Sequence, residues 1–157
     1  ADTFNLPFTH NAIREVLHER DDLWFIFLNT NKFYDHERIV YLPWTMNTEY
    51  KARFVNTCDA MMHARADGEI FSLATAEFAV RNKPIVTWDG FLPQYYRGHL
   101  ETLGDRAITY EDQQDLVDLL LDLNAKELQT QNWNVYEDTY SPQNVMKQFN
   151  EVFLKND

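Results

Sequence analysis

The chain has 157 residues, 45% hydrophobic and 15% aromatic, which is the length and make-up of one folded domain and not of a disordered segment. Its 14 Lys and Arg stand against 25 Asp and Glu, a formal charge of −11 that repels nucleic acid and anionic lipid over the surface as a whole. The four glycines, Gly68, Gly90, Gly98 and Gly104, are too scattered for G-x-G-x-x-G or a Walker loop, so neither phosphate-cradling motif exists here.

Cys58 is the only cysteine, so no internal disulfide can form, which fits a reducing, cytoplasmic setting. No apolar run reaches membrane-spanning length. The opening Ala1-Asp2-Thr3-Phe4 has no basic stretch leading into an apolar one, and no signal peptide is expected.

Along the chain, Ala12, Ile13, Val16 and Leu17 recur at helical spacing and predict a helix over Thr9 to Arg20, capped by Thr9 or Asn11. The unbroken apolar run Leu23 to Leu28, ended by Asn29-Thr30-Asn31, reads as a strand buried on both faces. Ile39 to Leu42 is a second strand, stopped by Pro43. A helix follows from Thr45 to Thr57 with Tyr50, Phe54 and Val55 inward, then a short strand Ala60 to His63. Phe71 to Val80 is a helix broken by Asn82-Lys83-Pro84. Ile85 to Trp88 and Ala107 to Tyr110 are the fourth and fifth strands, and Gln113 to Leu123 is an amphipathic helix. Ser141-Pro142 opens a last helix through Phe153, because proline at the first helical position already has the required φ. The longest loop is Asp89 to Gly104, where Tyr95 to Leu103 has room for a turn of helix. Apolar strands alternating with helices give an α/β domain, a mostly parallel sheet of about five strands covered on both faces.

Open parallel sheets bind ligands beyond the carboxyl ends of their strands. The richest such end is His63-Ala64-Arg65, followed by the turn Asp67-Gly68-Glu69 and a helix start near Phe71. Free N–H groups at a helix start and the forked donor of Arg65 suit phosphate oxygens. Glu69 before the helix and Glu77 in its second turn suit sugar hydroxyls, since both carboxylate oxygens accept. Each residue also has a plainer reading. The two glutamates are stabilised near a helix start by roughly 0.3–1 kcal/mol whatever they bind. Arg65 is equally suited to pair with Asp67 or Glu69, and His63 to a structural hydrogen bond at a strand end. Tyr95-Tyr96-Arg97 lies near the strand ends and reads first as a packed loop. The five histidines show neither an i, i+4 pair nor a cluster with Cys58, so no zinc site is expected.

The stretch His63-Ala-Arg-Ala-Asp-Gly-Glu-Ile-Phe-Ser-Leu-Ala-Thr-Ala-Glu77, followed by Asn82-Lys-Pro-Ile-Val86, resembles the donor-binding half of GT-B glycosyltransferases of the retaining, Glu-x7-Glu kind. The resemblance implies a Rossmann-like three-layer domain that binds a nucleoside diphosphate sugar. Glu69 would contact the donor sugar and act in catalysis, and Glu77 would bind the ribose hydroxyls. Backbone N–H groups of Phe71, Ser72 and Leu73 would hold the diphosphate without a metal, helped by His63 and Arg65. The base would lie near Leu42 and Pro43, with Asn29 at the neighbouring strand end. Ile70 and Ser72 stand where the family has glycines. The family's first strand and its basic clamp have no match, and an acceptor-binding domain or chain is expected as partner. In the family's strand order, 3-2-1-4-5-6, the unmatched strand is central. The competing readings are a non-catalytic α/β interaction module and a related nucleotide-sugar epimerase.

Overall fold

A computed structural model of the chain describes residues 3–90 and 96–154. Helix α1 spans Pro7–Glu19. It starts two residues earlier than the sequence predicts, because Pro7 takes the first helical position and Leu6, with no side-chain cap, precedes it. Thr9 is therefore inside the first turn, where its hydroxyl donates back to the Leu6 carbonyl at 2.7 Å. Strands β1 (Phe25–Leu28) and β2 (Ile39–Leu42) follow, then α2 (Thr48–Thr57), capped by the Asn47 side chain. Next come β3 (Met61–His63), α3 (Leu73–Ala79) and β4 (Ile85–Trp88). Helix α4 (Gly98–Leu103) leads through a 3-10 turn at Gly104–Arg106 into β5 (Ala107–Tyr110). Helices α5 (Gln113–Asp122), α6 (Ala125–Leu128), α7 (Val135–Tyr140) and α8 (Pro142–Phe149) complete the order, and α8 runs on as a π-helical segment to Leu154.

The five strands among the described residues pair in parallel, in a Rossmann-like α/β arrangement, but they form two sheets instead of one: β1-β2 and β3-β4-β5. The break falls between β1 and β3. In β1 the N–H groups of Phe25 and Asn29 donate to Arg38 and Leu42 on the β2 side. Alternation along a strand then turns the backbone groups of Ile26 and Leu28 the other way. In β3 the N–H of Met61 donates to Pro84, so the backbone of Met62 faces away from β4. These edges line the same cleft of about 1320 Å³, and no strand among the described residues occupies it. Its size exceeds the roughly 300–1,000 Å³ of small-molecule pockets. This gap corrects the expectation that Leu23 to Leu28 is buried on both faces. Only Phe27 of β1 is buried, and Trp24 is 59% exposed.

One helix holds the two sheets together. On α1, Ile13 and Leu17 pack with Phe27 and Ile39 of the first sheet, while Ala12 and Val16 pack with Val86, Tyr110 and α5 residues over the second. These are adjacent stripes at i, i+4 spacing, so one helix serves both half-sheets. Just past its end, Arg20 donates to the carbonyls of Leu120, Leu121 and Leu123 at 3.0, 3.0 and 2.8 Å, closing the C-terminus of α5. The opposite face is covered by α2, α3 and α7, through Val55, Phe78, Ala79, Ile85 and Tyr136. Ile85 and Val86, neighbours on β4, point to opposite layers. Tyr50, expected inward, is 39% exposed, because α2 turns Val55 and Phe54 toward the core instead.

Candidate functional site

The segment between β3 and α3 carries the site. Gly68 takes a φ of 63°, which reverses the chain and brings Glu69 back toward the end of β3. Helix α3 begins at Leu73, two residues later than predicted, because Ser72 is fully buried and caps the helix by accepting from the Thr75 N–H at 3.2 Å. Thr75 in turn shares a hydrogen bond of 3.0 Å with the Tyr136 hydroxyl, which ties α3 to α7.

His63, Glu69, Leu73 and Glu77 all line the large cleft, together with Lys51 of α2. The Arg65 guanidinium pairs with Oε1 of Glu69, and Lys51 pairs with Glu77, whose side chain is 45% exposed. So the two glutamates open onto one space, each with a cation beside it. Arg65 and Phe71 line a second cavity of about 400 Å³, which Glu69 and Tyr96 also border. Phe71 packs edge-on against Tyr136 and Tyr140, with centroids 5.7 and 5.2 Å away. Asn29, Leu42 and Pro43 line neither space. Asn29 sits at the exposed end of β1 with a φ of 61°, its N–H on the Leu42 carbonyl at 3.0 Å. Tyr95 lies outside the described residues. Arg97 pairs with Asp89, within the loop.

Behind Glu69 is a buried polar chain that the sequence did not reveal. His63 Nδ1 is 3.1 Å from Thr87 Oγ1, and Thr87 Oγ1 is 3.3 Å from His99 Nε2. His99 Nδ1 is 3.2 Å from the backbone carbonyl of Glu69. The two imidazole rings lie 4.6 Å apart, and the Tyr110 hydroxyl donates to the His63 carbonyl at 3.0 Å. His63 Nε2 has no hydrogen-bond partner and faces Glu69 Oε2 at 3.8 Å. Thr87 stands out in sequence as the one hydroxyl in the strand Ile85-Val86-Thr87-Trp88, and that is the signal available for it. His99 and Lys51 reach the site only through tertiary packing.

Electrostatics follow from this geometry. Burial alone would raise the Glu69 carboxyl, but the His63 ring, the Ser72 hydroxyl and the Arg65 guanidinium outweigh that and hold it at about 2. Glu69 is thus a fixed anion and hydrogen-bond acceptor. Burial, with the His63 ring close by, lowers His99 to about 4. Burial also raises the Tyr136 hydroxyl. Among the described residues no group of three His, Cys, Asp or Glu is placed to hold a metal ion, and no helix is long and apolar enough to cross a membrane.

The sequence matches no family model and no curated protein.

Proposed function

We propose that the chain binds a nucleoside diphosphate sugar and serves as the donor half of a retaining glycosyltransferase. The observation that carries this reading is that Glu69 and Glu77 line one cleft beyond the carboxyl end of a parallel strand, with His63 and Lys51 on the same walls. Glu69, anionic through the whole neutral range, accepts from sugar hydroxyls and stabilises positive charge at the anomeric carbon as the bond to the diphosphate breaks. Glu77, half exposed on α3, accepts from ribose hydroxyls. Lys51 and Arg65 are cations that stand beside the two glutamates, each paired with one of them. The reaction transfers a glycosyl group to a hydroxyl, and the acceptor site belongs to a further domain or chain. A cytoplasmic location is part of the same proposal.

The bare strand edges at the cleft favour a second reading, an interaction module on the same fold without turnover. Thermal shift with UDP-, GDP- and ADP-sugars separates the two. A stabilising shift with one base supports donor binding. Silence across the panel supports the interaction module, and sugar isomerisation without an acceptor supports an epimerase.

A further inference from the structure

The two strand edges that face the large cleft have the chemistry of internal strands. A sheet edge left in water is commonly guarded by a lysine or a proline. Phe25-Ile26-Phe27-Leu28 and Met61-Met62-His63 carry neither, whereas β2, on the outside of its sheet, is bracketed by Arg38 and Pro43. The cleft runs the length of the strands, from Arg20 and Leu121 near their amino ends to Thr3 and His63 at their carboxyl ends, and Ile26, Phe54 and Phe78 make its walls apolar. Helix α1 lies behind it with one stripe on each half-sheet. A helix placed so is the crossover of a β-α-β unit, and β1 is the strand it leads into. The end of the strand that enters α1 is already in place. Asn5 donates its N–H to the Ala64 carbonyl at 3.1 Å, and its side chain accepts from the Ala66 N–H at 2.8 Å. Ala64 is two residues past Met62 and so presents its backbone on the same bare edge of β3. The Asn5–Ala64 bond is therefore one rung of a ladder along that edge, and Thr3, two residues upstream of Asn5, lies in the cleft.

We infer that β1 and β3 are internal strands of one continuous parallel sheet, and that the cleft between them takes an extended apolar segment of the same polypeptide, the stretch leading into Ala1, as a strand parallel to both. With it in place the backbone groups of Ile26, Leu28 and Met62 gain partners, and the apolar run Leu23 to Leu28 is flanked on both sides. A segment of the same polypeptide is favoured over a separate one because the chain at Thr3 to Asn5 already enters the cleft and is fastened to β3 there. A short tether of this kind replaces a bimolecular encounter by a high effective concentration. The strand fills the level of the sheet and leaves the space beyond the carboxyl ends, at His63 and Glu69, open. The inference holds whatever that site binds.

Amide hydrogen exchange on the full 157-residue chain reads the two edges first. The amides of Ile26, Leu28 and Met62 exchange at least roughly ten-fold faster than those of Phe27 and His63, which donate within their own sheets. A short strand of valine, isoleucine and threonine is then joined to Ala1 through a glycine link, with a glycine-serine extension of equal length as control. The added strand slows the amides of Ile26, Leu28 and Met62 to the level of Phe27 and His63 and raises the urea midpoint, and the control extension does neither. Three sets of results overturn the inference. The first is protection of these amides in the dilute unmodified chain, or exchange as fast with the added strand as with the control. The second is equal protection by the same strand added as a free, end-blocked peptide at the protein's own concentration, which assigns the cleft to a separate polypeptide. The third is protection that grows with chain concentration together with a dimer in light scattering, which assigns it to a second copy.

Discussion

Acid should weaken this fold through His99 in a way that a single substitution cancels. His99 lies on α4 with almost no exposed surface, and burial, helped by the His63 ring, lowers it from 6.5 to about 4. In the unfolded chain the ring takes up its proton near 6.5. Between these two values the unfolded state binds the extra proton, so the equilibrium moves toward it as the pH falls. The contribution is therefore fully present above 6.5 and lost progressively down to about 4. A depression of that size corresponds to about 3 kcal/mol, a large share of the roughly 5–15 kcal/mol that holds a domain together. The assay is urea unfolding at about pH 7 and about pH 4, on the unmodified chain and on His99→Asn. Asparagine keeps a donor for the Glu69 carbonyl and cannot titrate. Acidification also reduces the chain's net charge, but that effect is common to both proteins. The unmodified chain should lose about 3 kcal/mol more than the variant over this interval. Equal losses in both proteins would refute the argument.

The two glutamates should separate in calorimetric titration. Glu77→Ala should weaken bare nucleotide and nucleotide sugar alike, by the roughly 1.5–3 kcal/mol of a charge-assisted hydrogen bond, whereas Glu69→Ala should weaken the sugar nucleotide alone. Gly98→Ala should destabilise by about 1–3 kcal/mol in urea unfolding, since a Cβ there would lie 1.9 Å from the Ile70 carbonyl oxygen in the segment that carries Glu69. Ile13→Ala, at a fully buried position on α1, should cost about 2–5 kcal/mol by the same measurement. It should also broaden the amide signals of β1 and β2, whose packing depends on that side chain.

The strands were legible because their apolar runs are short and bounded by breakers. Ile39–Leu42, Ile85–Trp88 and Ala107–Tyr110 fall where periodicity and proline place them. Helix boundaries were less so. Nothing in Phe71-Ser72 says that the serine will be buried and close the helix start, because that depends on Thr75 and Tyr136. Nor does composition show that five parallel strands divide into sheets of two and three. An edge strand facing a cleft and a strand buried on both faces have the same apolar run. At the site, the Glu69–Glu77 spacing is local and readable. The His63–Thr87–His99 chain joins three elements of different strand-helix units and has no local signal beyond one threonine among apolar neighbours.

Arg20 and the carbonyls it closes are separated by about a hundred positions. The α1–α5 contact spans the same interval. During synthesis α1 is therefore made about a hundred residues before α5 and waits for it over that interval. Ile13 and Leu17 find Phe27 and Ile39 soon after they are made, but Ala12 and Val16, fully packed against Val86, Tyr110 and α5 in the finished fold, are open to solvent throughout that wait. Long-range closure of this kind is slow, and the exposed stripe is an aggregation hazard in the meantime. Low temperature and slow expression should raise the soluble yield of this chain, and early truncation within α5 should leave α1 as the segment that chaperones bind.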